Sequence, residues 1–270
     1  MLRRDSLRKK EGEIVQMTLK IANLSKSFNK ETANEIQVFD GFHLEIEEGK
    51  CTAVIGPNGC GKSTLFNLIS GTLSIDEGSV LLNGKEVSKE KEEKRAKVIG
   101  RVFQDPSLGV SPSLTILENM SIANKKGQPF SLKRLIQKKN HEKYIGLLRE
   151  LDLGLEDKLE TKVKFLSGGQ RQSLSLVMAT MQRPDLLLLD EHTAALDPKT
   201  SAVIMEKTRQ FIQRDAITTL MISHNMRDAL KYSDRIIMLD KGKIVLDRKS
   251  SEVSEEELYA IYREKLEAIA

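Results

Sequence analysis

Two stretches of the chain combine residue types and spacing that can do chemistry. In LLLLDEHTAALD, residues 186–197, the carboxylates of Asp190 and Glu191 stand side by side directly behind four leucines. Adjacent like charges repel, and burying them costs desolvation, so such a pair calls for a cation or a proton transfer that compensates. The second stretch, GPNGCGKST over residues 56–64, follows the apolar run CTAVI and precedes the helical LFNLIS. This is the phosphate-loop spacing G-x-x-x-x-G-K-[ST] set between a strand and a helix. Gly56, Gly59 and Gly61 let the backbone turn its N–H groups inward, with Pro57, Asn58 and Cys60 between them. The following helix adds its positive end to that anion nest. Lys62 is expected to reach the β- and γ-phosphates of ATP, and Ser63, followed by Thr64, to present a hydroxyl to Mg²⁺.

The phosphate loop explains the paired acids. In a phosphate-loop enzyme a neighbouring strand ends in an acid that holds Mg²⁺, usually through water, and Asp190 sits at such a strand end. Glu191, one residue on, is then the expected base that polarises an attacking water. The expected cofactors are ATP and Mg²⁺.

These residues need a scaffold. Alternation in TLKIANL and FHLEIEEG predicts antiparallel strands near the start, and CTAVIG, SVLLNG, VIGRVF, LLLLD, TTLMIS and RIIMLD read as further strands with helices between several of them. The expected fold class is α/β: a phosphate-loop (RecA-like) ATPase core with a mainly parallel sheet, an N-terminal antiparallel β subdomain and an inserted α-helical subdomain. Residues 1–16, with Arg3, Arg4, Arg8, Lys9 and Lys10, read as a flexible basic extension. The ATPase domain is expected over 17–250, its core about 17–105 and 184–250 and its helical subdomain about 106–183. A C-terminal amphipathic helix over 251–270 opens on Ser254 and Glu257, a capping-box spacing.

Composition narrows the function classes. The 270 residues carry a net charge of +4, too mild to demand nucleic acid, with 39% hydrophobic and 30% charged residues. No window approaches the roughly 18 consecutive apolar residues of a membrane span, which predicts a cytoplasmic chain. Cys51 and Cys60 are the only cysteines and have no further Cys with which to form a zinc site.

FLSGGQRQ, residues 165–172, opens a helix with Ser167 as N-cap and with Leu174, Val177, Met178 and Met181 as its buried face. Joined to the phosphate loop, it resembles the signature motif of ABC-type ATPases, and the resemblance runs from about Met17 to Asp247. It implies that Phe28 in LSKSFN stacks on adenine, that Gln104 in VFQDP senses Mg²⁺ and faces a membrane partner, and that Ala194–Asp197 crosses between subunits. It implies further that His224 contacts the γ-phosphate. Ser167, Gly168, Gly169 and Gln170 of one subunit would close on ATP held by another, in a homodimer or a dimer with a similar ATPase subunit. His192 stands where many transport members carry Pro, and QSLSLVMATMQRP departs from the usual basic, alanine-rich continuation.

Two functions fit that resemblance. One is the ATP-binding subunit of an ABC transporter, peripheral on the cytoplasmic face of the membrane, which drives a separate integral membrane permease. The other is a soluble ABC-type ATPase acting on nucleic acid or the ribosome; such relatives commonly bring tandem cassettes, coiled-coil insertions or zinc-binding cysteines. Transport is the expectation, with no nucleic-acid partner. A stand-alone ATPase points to import, of a small solute such as an amino acid, with a substrate-binding protein acting through the permease.

Overall fold

Strands buried on both faces read as continuous apolar runs, whereas strands with one solvated face alternate, and this chain has both kinds. The computed structural model describes residues 7–10, 13–128 and 135–267. Alternating segments build an antiparallel sheet from β1 (Leu7–Lys10), β2 (Glu13–Phe28), β3 (Ile36–Glu47), β5 (Glu77–Leu82) and β6 (Lys85–Glu86). The long β2 pairs with β3 at Ile21↔Leu44 and with β5 at Ile21↔Val80. It begins ahead of Met17: β1 folds back on its first residues, with Leu7 opposite Gln16 and Lys10 opposite Glu13. Part of the segment read as an N-terminal extension is therefore a hairpin; Arg3 and Arg4 lie outside the described residues.

The apolar runs build the second sheet, β4 (Cys51–Ile55), β7 (Ile99–Val102), β8 (Leu186–Asp190), β9 (Thr218–Ile222), β10 (Arg235–Asp240) and β11 (Lys243–Lys249). Its order is β11-β10-β4-β9-β8-β7. All neighbours run parallel except β10 and β11, which form a hairpin. Every residue of β4 and β9 is buried. Successive side chains enter opposite cores: Leu187 and Leu189 join one with Leu174, Leu176 and Val177, while Leu186 and Leu188 join the other with Leu65, Phe66 and Ile21.

Helices cover both faces: α1 (Lys62–Ser70), α2 (Glu92–Arg95), α3 (Ile116–Ala123), α4 (His141–Arg149), α5 (Gly168–Thr180), α6 (Pro198–Arg214), α7 (Met226–Tyr232) and α8 (Glu255–Glu267). Helices α3 to α5 all fall between β7 and β8. Their starts are encoded locally: Thr115 and Glu118 form a complete capping box at α3, and Ser167 and Gln170 do so at α5. At α8 the Ser254 hydroxyl accepts from the Glu257 amide, and Leu258 is buried. No helix among the described residues is long and apolar enough to cross a membrane.

Candidate active site

Residues 56–64 leave β4 as a loop and enter α1. Gly56, Gly59 and Gly61 take φ of +147°, +77° and +109°, left-handed values that side chains disfavour. Space is a second constraint, because a Cβ on Gly56 would lie 2.2 Å from the Leu239 carbonyl oxygen. Behind the loop, the Gly242 amide in the β10–β11 turn donates to the Cys60 carbonyl at 3.2 Å. That turn is itself wedged in place, since a Cβ on Gly242 would fall 1.9 Å from the Val38 carbonyl oxygen of β3.

The Lys62 ammonium is buried and curls back over the loop, donating to the carbonyls of Gly56 at 2.7 Å and Pro57 at 2.9 Å. Helix α1 starts without a side-chain cap, so its first-turn amides suit phosphate oxygens. Ser63 is exposed in that first turn. Cys60 is buried beside Lys62; burial raises its pKa and the Lys62 charge only partly offsets this, so it stays a thiol.

The end of β8 is built from side chains. Arg101 Nη2 on β7 donates to Asp190 Oδ2 at 3.0 Å, and its Nη1 donates to Asn67 Oδ1 on α1 at 2.8 Å. Glu191 leaves the strand with φ +47°, a left-handed value for a residue with a side chain, and its amide donates to the Ile222 carbonyl at 3.2 Å. Such backbone strain costs about 1–3 kcal/mol and gathers at functional sites. Glu191 Oε1 lies 2.6 Å from His224 Nε2, just beyond β9. This pair lines a cavity of about 390 Å³ with Ala194, Pro198, Ser223 and Asp228. His192 does not join it in hydrogen bonding: it is 2% exposed, with Nε2 3.2 Å from the Thr208 hydroxyl of α6. Burial pushes its pKa down to about 4 and keeps the ring neutral.

The remaining predicted residues sit on neighbouring elements. Gln104 is exposed just after β7, and the ring of the preceding Phe103 lies 4.6 Å from the Arg101 guanidinium carbon. Phe28 closes β2, half-buried, with Lys26 Nζ 5.5 Å from its ring centre. Asp197 caps α6 by accepting from the Thr200 amide at 3.0 Å. Ser167 is exposed; its hydroxyl accepts from the Gln170 amide, while the Gln170 side chain donates to the Leu153 carbonyl. These bonds tie the signature to the helical insert. Gly168 and Gly169 open α5, and a Cβ on Gly169 would stand 2.5 Å from Thr200 Cγ2, so close α5–α6 packing also requires that glycine.

Four positions escaped the sequence reading. Arg101 bonds Asp190 and is itself bonded to Asn67. Buried Gln172 on α5 donates to the Phe103 carbonyl at 3.1 Å, which ties the signature helix to the residue before Gln104. Asp76 accepts from the Ser27 amide at 2.8 Å and from the ammonium groups of Lys26 and Lys30, each at 3.0 Å. A charged residue inside the apolar VIGRVF was a usable signal for Arg101; the others had none.

The chemistry of these donors is consistent with a nucleotide and a hard cation. Ser63, Gln104 and Asp190 offer only oxygen ligands, which suits Mg²⁺. Among the described residues no cluster of three or more His, Cys, Asp or Glu is placed to hold a metal by itself.

Comparison with known proteins agrees. The family model described as ABC transporter matches residues 39–194. The chain is 47% identical over 234 residues to the tyrosine transport ATP-binding protein of Clostridioides difficile (strain R20291), covering 87% of this chain and 93% of that protein. It is 35% identical over 252 residues to the phosphonates import ATP-binding protein PhnC of Lactococcus lactis subsp. lactis, covering 92% and 99%. Among solved structures, the dimeric post-hydrolysis state of the ATP-binding cassette MJ0796 with ADP and Pi superposes with a TM-score of 0.73 at 28% identity, covering 86% of this chain and 98% of that one. The ADP conformation of the cassette MJ1267 gives 0.76, also at 28% identity, covering 93% and 98%. With a family model across more than half its length and relatives matched almost end to end, the chain belongs to the ABC transporter family, as an ATP-binding subunit that hydrolyses ATP.

Proposed function

We propose that this chain energises the import of a small solute, an amino acid of the tyrosine type, by hydrolysing ATP in a head-to-tail dimer docked on the cytoplasmic side of a separate membrane permease. The observation that carries the catalytic part is the Glu191–His224 contact at 2.6 Å, formed where β8 and β9 end side by side near the phosphate loop. Glu191 is the proton acceptor for the attacking water, and His224 orients that carboxylate and meets the γ-phosphate. Lys62 leaves its loop carbonyls for the β- and γ-phosphates, and residues 56–64 supply the amide cradle. Phe28 takes the adenine. Mg²⁺ bound by Ser63, Gln104 and Asp190 would neutralise charge on the phosphate oxygens.

The dimer is supported by the dimeric cassette among the solved structures and by the signature's exposed Ser167, which is free to face the nucleotide of a second copy. Asp197 lies at the same crossing. Support for import of an amino acid comes from the tyrosine transport relative at 47% identity, against 35% for the phosphonate one. A substrate-binding protein completes the system.

Reconstitution tests the reading. The chain is purified with a candidate permease, inserted into liposomes with ATP inside, and given labelled tyrosine with a candidate binding protein outside. The expected result is ATP-dependent uptake that stops with Glu191→Gln. Uptake of a phosphonate instead would overturn the amino-acid assignment; failure to bind any membrane protein, with ATPase activity rising on ribosomes or DNA, would overturn transport.

A further inference from the structure

Arg101 is the one charged residue of β7, and its side chain is only 13% exposed. A buried guanidinium is costly unless its donors are matched; here both terminal nitrogens find partners, on β8 and α1, while Nε is buried without one. Nη2 reaches Asp190 Oδ2 at 3.0 Å at the end of β8. Nη1 reaches Asn67 Oδ1 at 2.8 Å and the Ser70 hydroxyl at 3.3 Å, both on α1. The flat of the group lies 4.6 Å from the ring of Phe103, the residue before Gln104. Neutralising one carboxylate needs a single cation; it needs neither the second fork to α1 nor the aromatic stack. A planar fork with fixed donor directions is what those extra contacts use, and a lysine cannot supply it.

We propose that Arg101 is a positioning residue for the metal step, fixing Asp190 and, through Phe103, Gln104 against α1 in the arrangement that accepts Mg²⁺ with the nucleotide. It engages one Asp190 oxygen and leaves the other for a ligand. Groups that orient a metal's own ligands commonly shift metal affinity 10- to 100-fold when removed. The inference rests on the reading of Asp190 as the metal-holding carboxylate, and the experiment separates the two.

Binding of a fluorescent ATP analogue to the purified full chain is titrated with Mg²⁺, and binding in EDTA is measured alongside, for Arg101→Lys, Arg101→Met and Asp190→Asn. Both Arg101 variants should bind the analogue without metal within about twofold of wild type and need about 10-fold more Mg²⁺ for half-maximal enhancement. Asp190→Asn should lose most of the enhancement, and adding Arg101→Met to it should change nothing further. A purely structural arginine would lower the melting temperature and leave the Mg²⁺ requirement where it was; that result, with Asp190→Asn still shifted, overturns the proposal. An unshifted Asp190→Asn overturns the metal reading itself and the role of Arg101 with it. Should Arg101→Met fail to fold, Arg101→Lys, which keeps the charge, decides.

Discussion

The phosphate loop and the end of β8 are made of different materials. Residues 56–64 form their cradle from backbone: three glycines in left-handed conformations, an uncapped helix start, and one long side chain folded onto two loop carbonyls. At the end of β8 the groups are side chains drawn from four elements, and each carboxylate already has a partner, Asp190 in Arg101 and Glu191 in His224. The loop therefore depends on the absence of side-chain atoms, and the acid cluster depends on their presence. Both carboxylates are held by these contacts before any ligand comes.

The sharpest way to test that contrast is Glu191→Gln. The amide cannot take the water's proton, so hydrolysis should fall by about 10²–10⁴-fold while nucleotide affinity changes little. Single-turnover hydrolysis beside equilibrium binding reads both. A loss of binding instead would show that the two regions are not separable.

Gly56→Ala should do the converse. Its φ of +147° and the 2.2 Å approach to Leu239 leave no room for a methyl group. Backbone strain and overpacking together should cost about 2–4 kcal/mol of stability, with nucleotide binding lost in parallel. Urea denaturation and the same binding assay check it.

His192 sharpens the comparison from within the acid segment, since it is a structural member among functional neighbours. The folded protein keeps the ring neutral down to about 4, against 6.5 for an ordinary histidine. The unfolded chain takes up that proton first. The contribution is therefore complete above pH 6.5 and drains away as pH falls towards 4, by up to about 3 kcal/mol. In His192→Phe the slope of unfolding free energy over that window should flatten, while Thr208 keeps its bond to the Ile204 carbonyl. An unchanged slope would assign the acid sensitivity to other groups.

The smallest effect is expected at Asp76. Burial would raise its carboxyl, but the Ser27 amide with Lys30 and Lys26 outweighs that and holds it at about 2. Asp76 thereby pins the end of β2 that carries Phe28. Asp76→Asn should raise KM for ATP by about fivefold and leave kcat alone, because weakening the charge-assisted set to a neutral acceptor is worth about 1 kcal/mol in all. A matching fall in kcat would place its influence on the reacting end instead.

How much of this was legible beforehand follows from sequence distance. The phosphate loop is nine consecutive residues with its own strand and helix, and the α5 start is a four-residue capping box, so both could be read directly. Continuous apolar runs gave the buried strands for the same local reason. The contacts that organise the acids are not local: Arg101 and Asp190 are 89 positions apart. They meet because β7 pairs with β8, setting Arg101 opposite Leu188. Glu191 meets His224 because β8 pairs with β9, setting Asp190 opposite Ile222. Parallel neighbours joined through long crossovers leave no mark of their adjacency in the residues themselves. His192 shows the other limit. Its departure from the usual Pro was visible, but its burial against Thr208 depends on where α6 lies.

The Gly242 turn carries a consequence for anyone who would re-engineer this chain. Hairpin tips are ordinarily where tags, inserted domains and new termini are tolerated. This one is pressed against Val38 on one side and bonded to Cys60 on the other, so it serves as the mould against which the phosphate cradle is cast. New termini opened between Lys241 and Gly242 would alter nothing that contacts a nucleotide, and would still be expected to ruin the cradle.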